Sequence, residues 1–378
     1  MEAGEILKYF KDRQESIIDL IREIVDIESP SHNAEQSRVV VDWIEKQACS
    51  TGVDVSIERV SVEDGEHVVI RAFAADTKPI LLLGHTDTVH PIGTKLKNPT
   101  RIDGDKFYGC GIFDMKSGVV LMLETLRFFA ANRIKPTRPI TILLSCDEEV
   151  GSHSGRLLVE REAANAECCL VFEPSVFGKI KTGRKGTGMY KLEAHGIPAH
   201  AGLEPEKGAN AILELSRQIE QIHKLSRPDE GTTVNVTTVN GGTTSNVIPE
   251  HAACQIDVRF SNMSEAQRVD TEIRELKIFD ERVKLELSGG INRPPMERTE
   301  KVVELFEKAR SLAADFTYDL NETQVGGASD GNFVGAMGVP VLDGLGITGD
   351  GAHRLDEHIL VGDVAKRAAL VTLLLLSD

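Results

Sequence analysis

No CxxC pair occurs among the six cysteines, Cys49, Cys110, Cys146, Cys168, Cys169 and Cys254, which speaks against a cysteine-built metal or redox framework. Several lie inside apolar, strand-like runs, so a reduced, cytoplasmic chain with small buried thiols is expected. Basic residues are not in excess. Acidic side chains outnumber them by 59 to 43, and the formal charge of −16 would repel a phosphate backbone, which excludes nucleic acid as a natural partner. The longest apolar run, residues 368–376, falls far short of the roughly 20 residues that span a bilayer, so no membrane segment is expected. The opening MEAGEILKYFKDRQ has no apolar core followed by a small-residue cleavage site, and no secretory leader is expected. Internal repeats and low-complexity tracts are also missing.

What is present is ordinary globular material. Hydrophobic residues make up 41% and charged residues 27% of 378 residues, enough for two or three compact units. Ile17, Ile18, Ile21, Ile24 and Val25 recur at helical spacing, and the first 28 or so residues read as one amphipathic helix ending at Ser29-Pro30. Apolar strands at residues 80–83, 140–145 and 168–172 alternate with a helix at 117–130. A helix at 301–314, a strand at 339–342 and a helix at 361–376 close the chain. Unbroken apolar strands alternating with helices predict an α/β fold, a mostly parallel sheet flanked by helices.

The middle reads differently. Strand 190–194, helix 210–225, strands 233–239 and 254–260, helix 265–279 and strand 283–287 form a βαββαβ order, which suits an α+β sandwich. Glycines at 183, 186 and 188 and at 289 and 290 bracket it. The expected organisation is therefore a discontinuous catalytic domain, 1–182 and 292–378, with an inserted domain, 183–291.

Chemistry-bearing residues cluster at strand ends. In GHTDTV, His85 and Asp87 are two apart and share a face of an extended segment, so one could bind metal while the other orients it. Asp114 in GIFDMKSG precedes a helix and is either a ligand or a cap. Glu148 and Glu149 in DEEVGS follow a buried strand directly; they are a solvated acidic turn, or a pair whose repulsion something positive must offset. Glu173 ends a strand before Pro174, and a glycine-flanked loop carries His353, with His358 as a decoy in the same stretch. Singly these are weak signals. Ligands of open α/β sheets collect at the carboxyl ends of strands, however, and His85, Glu148, Glu149 and Glu173 all occupy such ends. Two histidines and three carboxylates, one shared, would give each of two zinc ions three protein ligands and leave room for water.

Together, GHTDTV, GIFDMKSG, DEEVGS, FEPS and the late GAH resemble, in order and over essentially the whole chain, the aminoacylase family of metallopeptidases. That family includes glutamate carboxypeptidase, acetylornithine deacetylase and succinyl-diaminopimelate desuccinylase. The resemblance implies two zinc ions per subunit, with cobalt or manganese as possible substitutes. His85, Asp114 and Glu173 would hold one ion, and Asp114, Glu149 and His353 the other, with Asp114 bridging. Asp87 would steady His85, and Glu148 would be the catalytic base. His200 in HGIPAHAG resembles the histidine that reaches a partner subunit's site, so the inserted domain would serve as lid and dimerisation module of a homodimer. Asn246 and Arg259 resemble residues that grip a substrate carboxylate, a task suited to arginine's planar fork. The GGASDGNF segment, 326–333, resembles a loop lining the substrate pocket.

Glutamate at position 173 resembles the carboxypeptidase and deacylase branches rather than the aminopeptidases. The implied substrate is an N-acyl amino acid or a short peptide with a C-terminal acidic residue, cleaved at the amide next to a free carboxylate, and glutamate carboxypeptidase is the nearest branch. A dipeptidase or tripeptidase of the same family is the alternative. Two rivals come from other classes: a serine hydrolase using Ser329 in a GxSxG match with Asp350 and His353, and a binding module that keeps the fold without catalysis.

Overall fold

The computed structural model describes residues 1–377, which form two compact units. The first comprises Met1–Gly183, Arg298–Val325 and the residues from Ser329 onward; the second comprises Arg184–Glu297 with Gly326–Ala328.

The first unit is built on a six-stranded sheet. Strands Ile80–His85, Ile140–Ser145, Cys168–Val171 and Val341–Leu342 run parallel and are buried throughout, as expected of strands covered on both faces. An antiparallel hairpin, Val55–Val62 with Gly65–Ala72, extends one edge by pairing with Ile140–Ser145. Helices Ser117–Asn132 and Val364–Leu376 are buried along most of their length and supply much of the core with Leu82, Ile142 and Leu170. The single N-terminal helix expected from periodicity is two helices, Ala3–Asp12 and Gln14–Val25. They part at Arg13, whose guanidinium reaches 3.0 Å to the fully buried Glu124. Burying that carboxylate demands a cation, which Arg13 and Arg127 supply.

A smaller four-stranded sheet sits within the same unit. In it Arg101–Asp103, Lys106–Tyr108, His358–Leu360 and Gly349–Asp350 pair antiparallel. Its register sets His358 opposite Tyr108, so the loop after Gly349–Asp350 and the loop after Lys106–Tyr108 are anchored side by side.

The second unit has the order strand Gly186–His195, helix Ala211–His223, strands Thr233–Gly241 and His251–Phe260, helix Met263–Arg274, strand Lys284–Arg293. These four strands form one antiparallel sheet. Side chains such as Tyr190, Leu192, Leu215, Ile222, Val258 and Ile273 make a core of its own. Asn210 and Asn262 cap the two helices by accepting the N–H of Leu213 and Glu265. This unit runs past residue 291 to Glu297 and takes in Gly326–Ala328, because Arg184 donates to the carbonyls of Gly327 and Ala328 at 3.1 Å.

All six cysteines are free, and all but Cys49 are buried. Among the described residues no helix is long and apolar enough to cross a membrane.

Candidate metal centre

Three parallel strands deliver their candidate residues to the carboxyl-terminal end of the sheet. His85 is the last residue of Ile80–His85, Glu148 and Glu149 form the turn after Ile140–Ser145, and Glu173 follows Cys168–Val171. The turn is shaped by Asp147, which accepts the N–H groups of Ser154 and Gly155, while Gly151 takes φ +104°, a conformation that favours glycine.

Asp87 then ties two of these ends together. Its carboxylate accepts the N–H groups of Glu148 and Glu149 at 3.2 Å and the hydroxyl of Ser31 at 2.7 Å, and lies 3.4 Å from Nδ1 of His85. Nδ1 is also 3.0 Å from the Asp87 carbonyl. With Nδ1 donating there, Nε2 of the fully buried His85 is left to face the cluster.

Around that atom the carboxylates converge. His85 Nε2 lies 3.2 Å from Asp114 Oδ1 and 3.3 Å from Glu173 Oε1. On the other side, His353 Nε2 lies 3.4 Å from Asp114 Oδ2 and 3.1 Å from Glu149 Oε2. Asp114 thus turns one oxygen to each histidine. Ligand atoms of His85, Glu148 and Glu173 lie within 4.8 Å of one another, as do those of His85, Asp114 and Glu149. Glu148 therefore borders the His85 end.

Electrostatics say what the cluster needs. Burial alone would lower the pKa of His85, yet hydrogen bonds to Asp114, Asp87 and Glu173 hold it well above the ordinary histidine value. Hydrogen bonds to Asp114 and Glu149 push His353 up to about 10. Burial also raises Glu149, which retains a buried Oε1 with no hydrogen-bond partner. These nitrogen and oxygen donors attract positive charge, and the orphaned oxygen points to a cation that the protein's own donors do not replace. The donor set fits divalent zinc-type ions, with His85, Asp114 and Glu173 able to hold one and Asp114, Glu149 and His353 a second.

The remaining candidates have surroundings of their own. His200, Asn246 and Arg259 belong to the second unit. There the short strands Ala199–His200 and Val247–Ile248 pair, and the Asn246 carbonyl accepts the N–H of Ala201, so His200 and Asn246 are neighbours. The exposed His200 accepts the N–H groups of Gly202 and Leu203 on Nδ1, both at 3.1 Å, which assigns its proton to Nε2. Arg259 spends its Nε and Nη2 edge on Asp257, at 2.9 and 2.8 Å. His358 donates Nδ1–H to the Asp356 carbonyl and packs on Tyr108, and it is not among the groups whose donor atoms converge.

The serine-hydrolase reading fails on geometry. Ser329 is fully buried, its hydroxyl donates to Asp343 at 2.7 Å, and His353 faces Asp114 and Glu149 instead. Sequence reasoning passed over Asp330, which accepts from Ser145 and Ser152 and braces the Glu148–Glu149 turn, and over Glu357, four residues beyond His353. An acidic residue beside each motif was the only available signal.

Comparison with known proteins agrees with this architecture. The chain is 28% identical over 374 residues, covering 97% of it and 90% of the relative, to carboxypeptidase G2 of Pseudomonas sp. (strain RS-16). It is 30% identical over 313 residues to succinyl-diaminopimelate desuccinylase of Delftia acidovorans, covering 77% of this chain and 79% of that one. The crystal structure of aminopeptidase PepT from Bacillus cereus superposes with a TM-score of 0.78 at 23% identity, covering 96% of this chain and 98% of that one, a likeness of fold. The family model described as Peptidase family M20/M25/M40 matches residues 81–377, the stretch that carries every residue of the cluster from His85 to His353. The match covers well over half of the sequence, and the chain belongs to this peptidase family of amide-cleaving hydrolases.

Proposed function

We propose that this protein hydrolyses an amide bond adjacent to a free carboxylate, in an N-acyl amino acid or a short peptide with a C-terminal acidic residue, using two divalent metal ions, zinc in the first instance. The observation that carries this is Asp114, whose two oxygens face His85 and His353 separately. Two relatives support the substrate class, since one is a carboxypeptidase and the other a desuccinylase. Glu173 in place of aspartate supports the same branch over a dipeptidase or tripeptidase.

Paired divalent ions, when bound, would polarise the scissile carbonyl and bring the pKa of water toward neutrality. The remaining work belongs to the chain. Glu148, bordering His85 and Glu173, takes a proton from the attacking water and returns it to the departing amine nitrogen. His200 presents Nε2–H as a donor to the developing oxyanion, and by the family resemblance it does so in the site of a partner copy, which makes the protein a homodimer. Arg259, through the guanidinium face that Asp257 leaves open, and Asn246 hold the substrate carboxylate. The free cysteines support a reducing, cytoplasmic setting.

The test is a hydrolysis screen of N-acyl amino acids and C-terminal glutamyl amides with zinc supplied. Release of the carboxylate-bearing amine, abolished by EDTA and indifferent to a serine-directed phosphonate, is expected. Turnover that survives complete chelation would sink the proposal.

A further inference from the structure

Glu357 is fully buried, and its carboxylate faces four donors, three of them backbone N–H groups of one neighbouring loop and the fourth His90. Oε1 accepts the backbone N–H groups of Phe113 at 2.9 Å and Asp114 at 3.0 Å. Oε2 accepts the N–H of Gly111 at 2.7 Å and faces His90 Nε2 at 2.8 Å. The Glu357 carbonyl also accepts the N–H of Gly109 at 3.2 Å. Between Gly109 and Asp114 the chain follows neither a regular helix nor a strand, so these N–H groups have no ladder partner and would otherwise be buried unsatisfied. Gly111 adopts φ +70°, and a Cβ there would meet Thr88 Cγ2 at 2.5 Å, so the loop conformation that aims its N–H at Glu357 requires glycine.

We propose that Glu357 is a positioning residue for the metal centre: its carboxylate fixes the backbone of Asp114, and so the direction of both bridging oxygens, and locks that loop to the one bearing His353. The inference rests on the metal-dependent reading above. Its physical basis is the donor count. A carboxylate has two oxygens that accept from four donors; an amide of the same shape has one oxygen and an NH2 group that would confront N–H groups already pointing inward. Because the Asp114 N–H is itself one of the four, any shift that relieves the conflict moves the ligand. Loss of such an outer support typically costs about 10–100-fold in metal affinity.

The experiment is cobalt titration of the metal-free full-length protein, followed by calorimetry and by the visible absorption of the bound ion. Glu357→Gln is expected to fold, to bind cobalt about 10–100-fold more weakly at one or both positions, and to show an altered absorption spectrum. Glu357→Asp keeps the charge but draws it back by one methylene; it is expected to weaken binding as well, and it decides the matter if Glu357→Gln does not fold. A merely structural glutamate would lower the unfolding midpoint and leave cobalt affinity and spectrum alone. Folded variants with the affinity and spectrum of the parent would overturn the inference while leaving the metal-dependent function standing. A parent protein that takes up no cobalt and no zinc would overturn both.

Discussion

The carboxylate of Asp114 stands between two histidines, with Oδ1 3.2 Å from Nε2 of His85 and Oδ2 3.4 Å from Nε2 of His353. One charge therefore serves both halves of the centre. Asp114→Asn keeps the shape and removes that charge. Elemental analysis of the purified variant is expected to show less than the parent's metal content, with activity down by more than about 100-fold, the upper end of the cost of losing an outer support. Full metal content in this variant would argue against a shared ligand.

Glu148 borders the His85 end, but the two proposed ligand sets do not require it. Glu148→Ala is expected to keep its metal and lose about 10²–10⁴ of turnover, the usual contribution of a general base. Normal turnover would remove it from the mechanism.

His353, held at a pKa of about 10 by Asp114 and Glu149, binds a proton across the neutral range in the metal-free protein. The sign follows. Because the folded value lies above the ordinary 6.5, the stabilisation from this proton is fully present below pH 6.5 and is lost as pH rises through about 10. A metal ion bound at His353, as proposed, would displace the same proton, so apparent metal affinity is expected to move the other way, rising between pH 7 and 9 by about tenfold per unit for each proton released. Calorimetry in buffers of different ionisation enthalpy counts those protons. Affinity that stays level over this interval would contradict the arrangement of His353.

His200 carries its ring proton on Nε2 because Gly202 and Leu203 donate to Nδ1. His200→Ala is expected to lower kcat by about 10²–10³, as removal of an oxyanion donor does, with metal content unchanged. Mixing it with Asp114→Asn should restore part of the activity if the histidine serves the partner's site. Inactive mixtures whose subunits have demonstrably exchanged would confine His200 to its own chain or to no catalytic role.

Asp257 occupies the Nε and Nη2 edge of Arg259, so in the proposed role a substrate carboxylate would meet only the rest of the guanidinium. Arg259→Lys is expected to raise KM for substrates with a free carboxylate by about tenfold, roughly the 1.5 kcal/mol of one charge-assisted hydrogen bond, and to leave the corresponding amides unaffected. Equal losses for both substrates would remove the clamp.

The parallel sheet was legible because strands buried on both faces read as apolar runs, as in Ile80–His85 and Ile140–Ser145. The break at Arg13 was not, since hydrophobic periodicity continues across it and the residue's partner, Glu124, lies 111 positions away. Strands of two or three residues, such as Gly349–Asp350 and Lys106–Tyr108, are too short for any alternation to register.

For the centre itself, residue type and strand-end position nominated His85, Glu148, Glu149 and Glu173, because metal chemistry restricts the donors and an open α/β sheet restricts where they gather; Asp114 and His353 lie in a turn and a loop, and the family resemblance gave them their roles. The folded chain gave the expected sharing of Asp114 its geometry, one oxygen toward each histidine, and it alone decided that Glu357 grips the Asp114 backbone from 243 residues away. Local periodicity records which way a side chain points along its own element. It holds no information about which distant carboxylate will satisfy a loop's buried N–H groups, and that pairing exists only once the small sheet has set His358 against Tyr108.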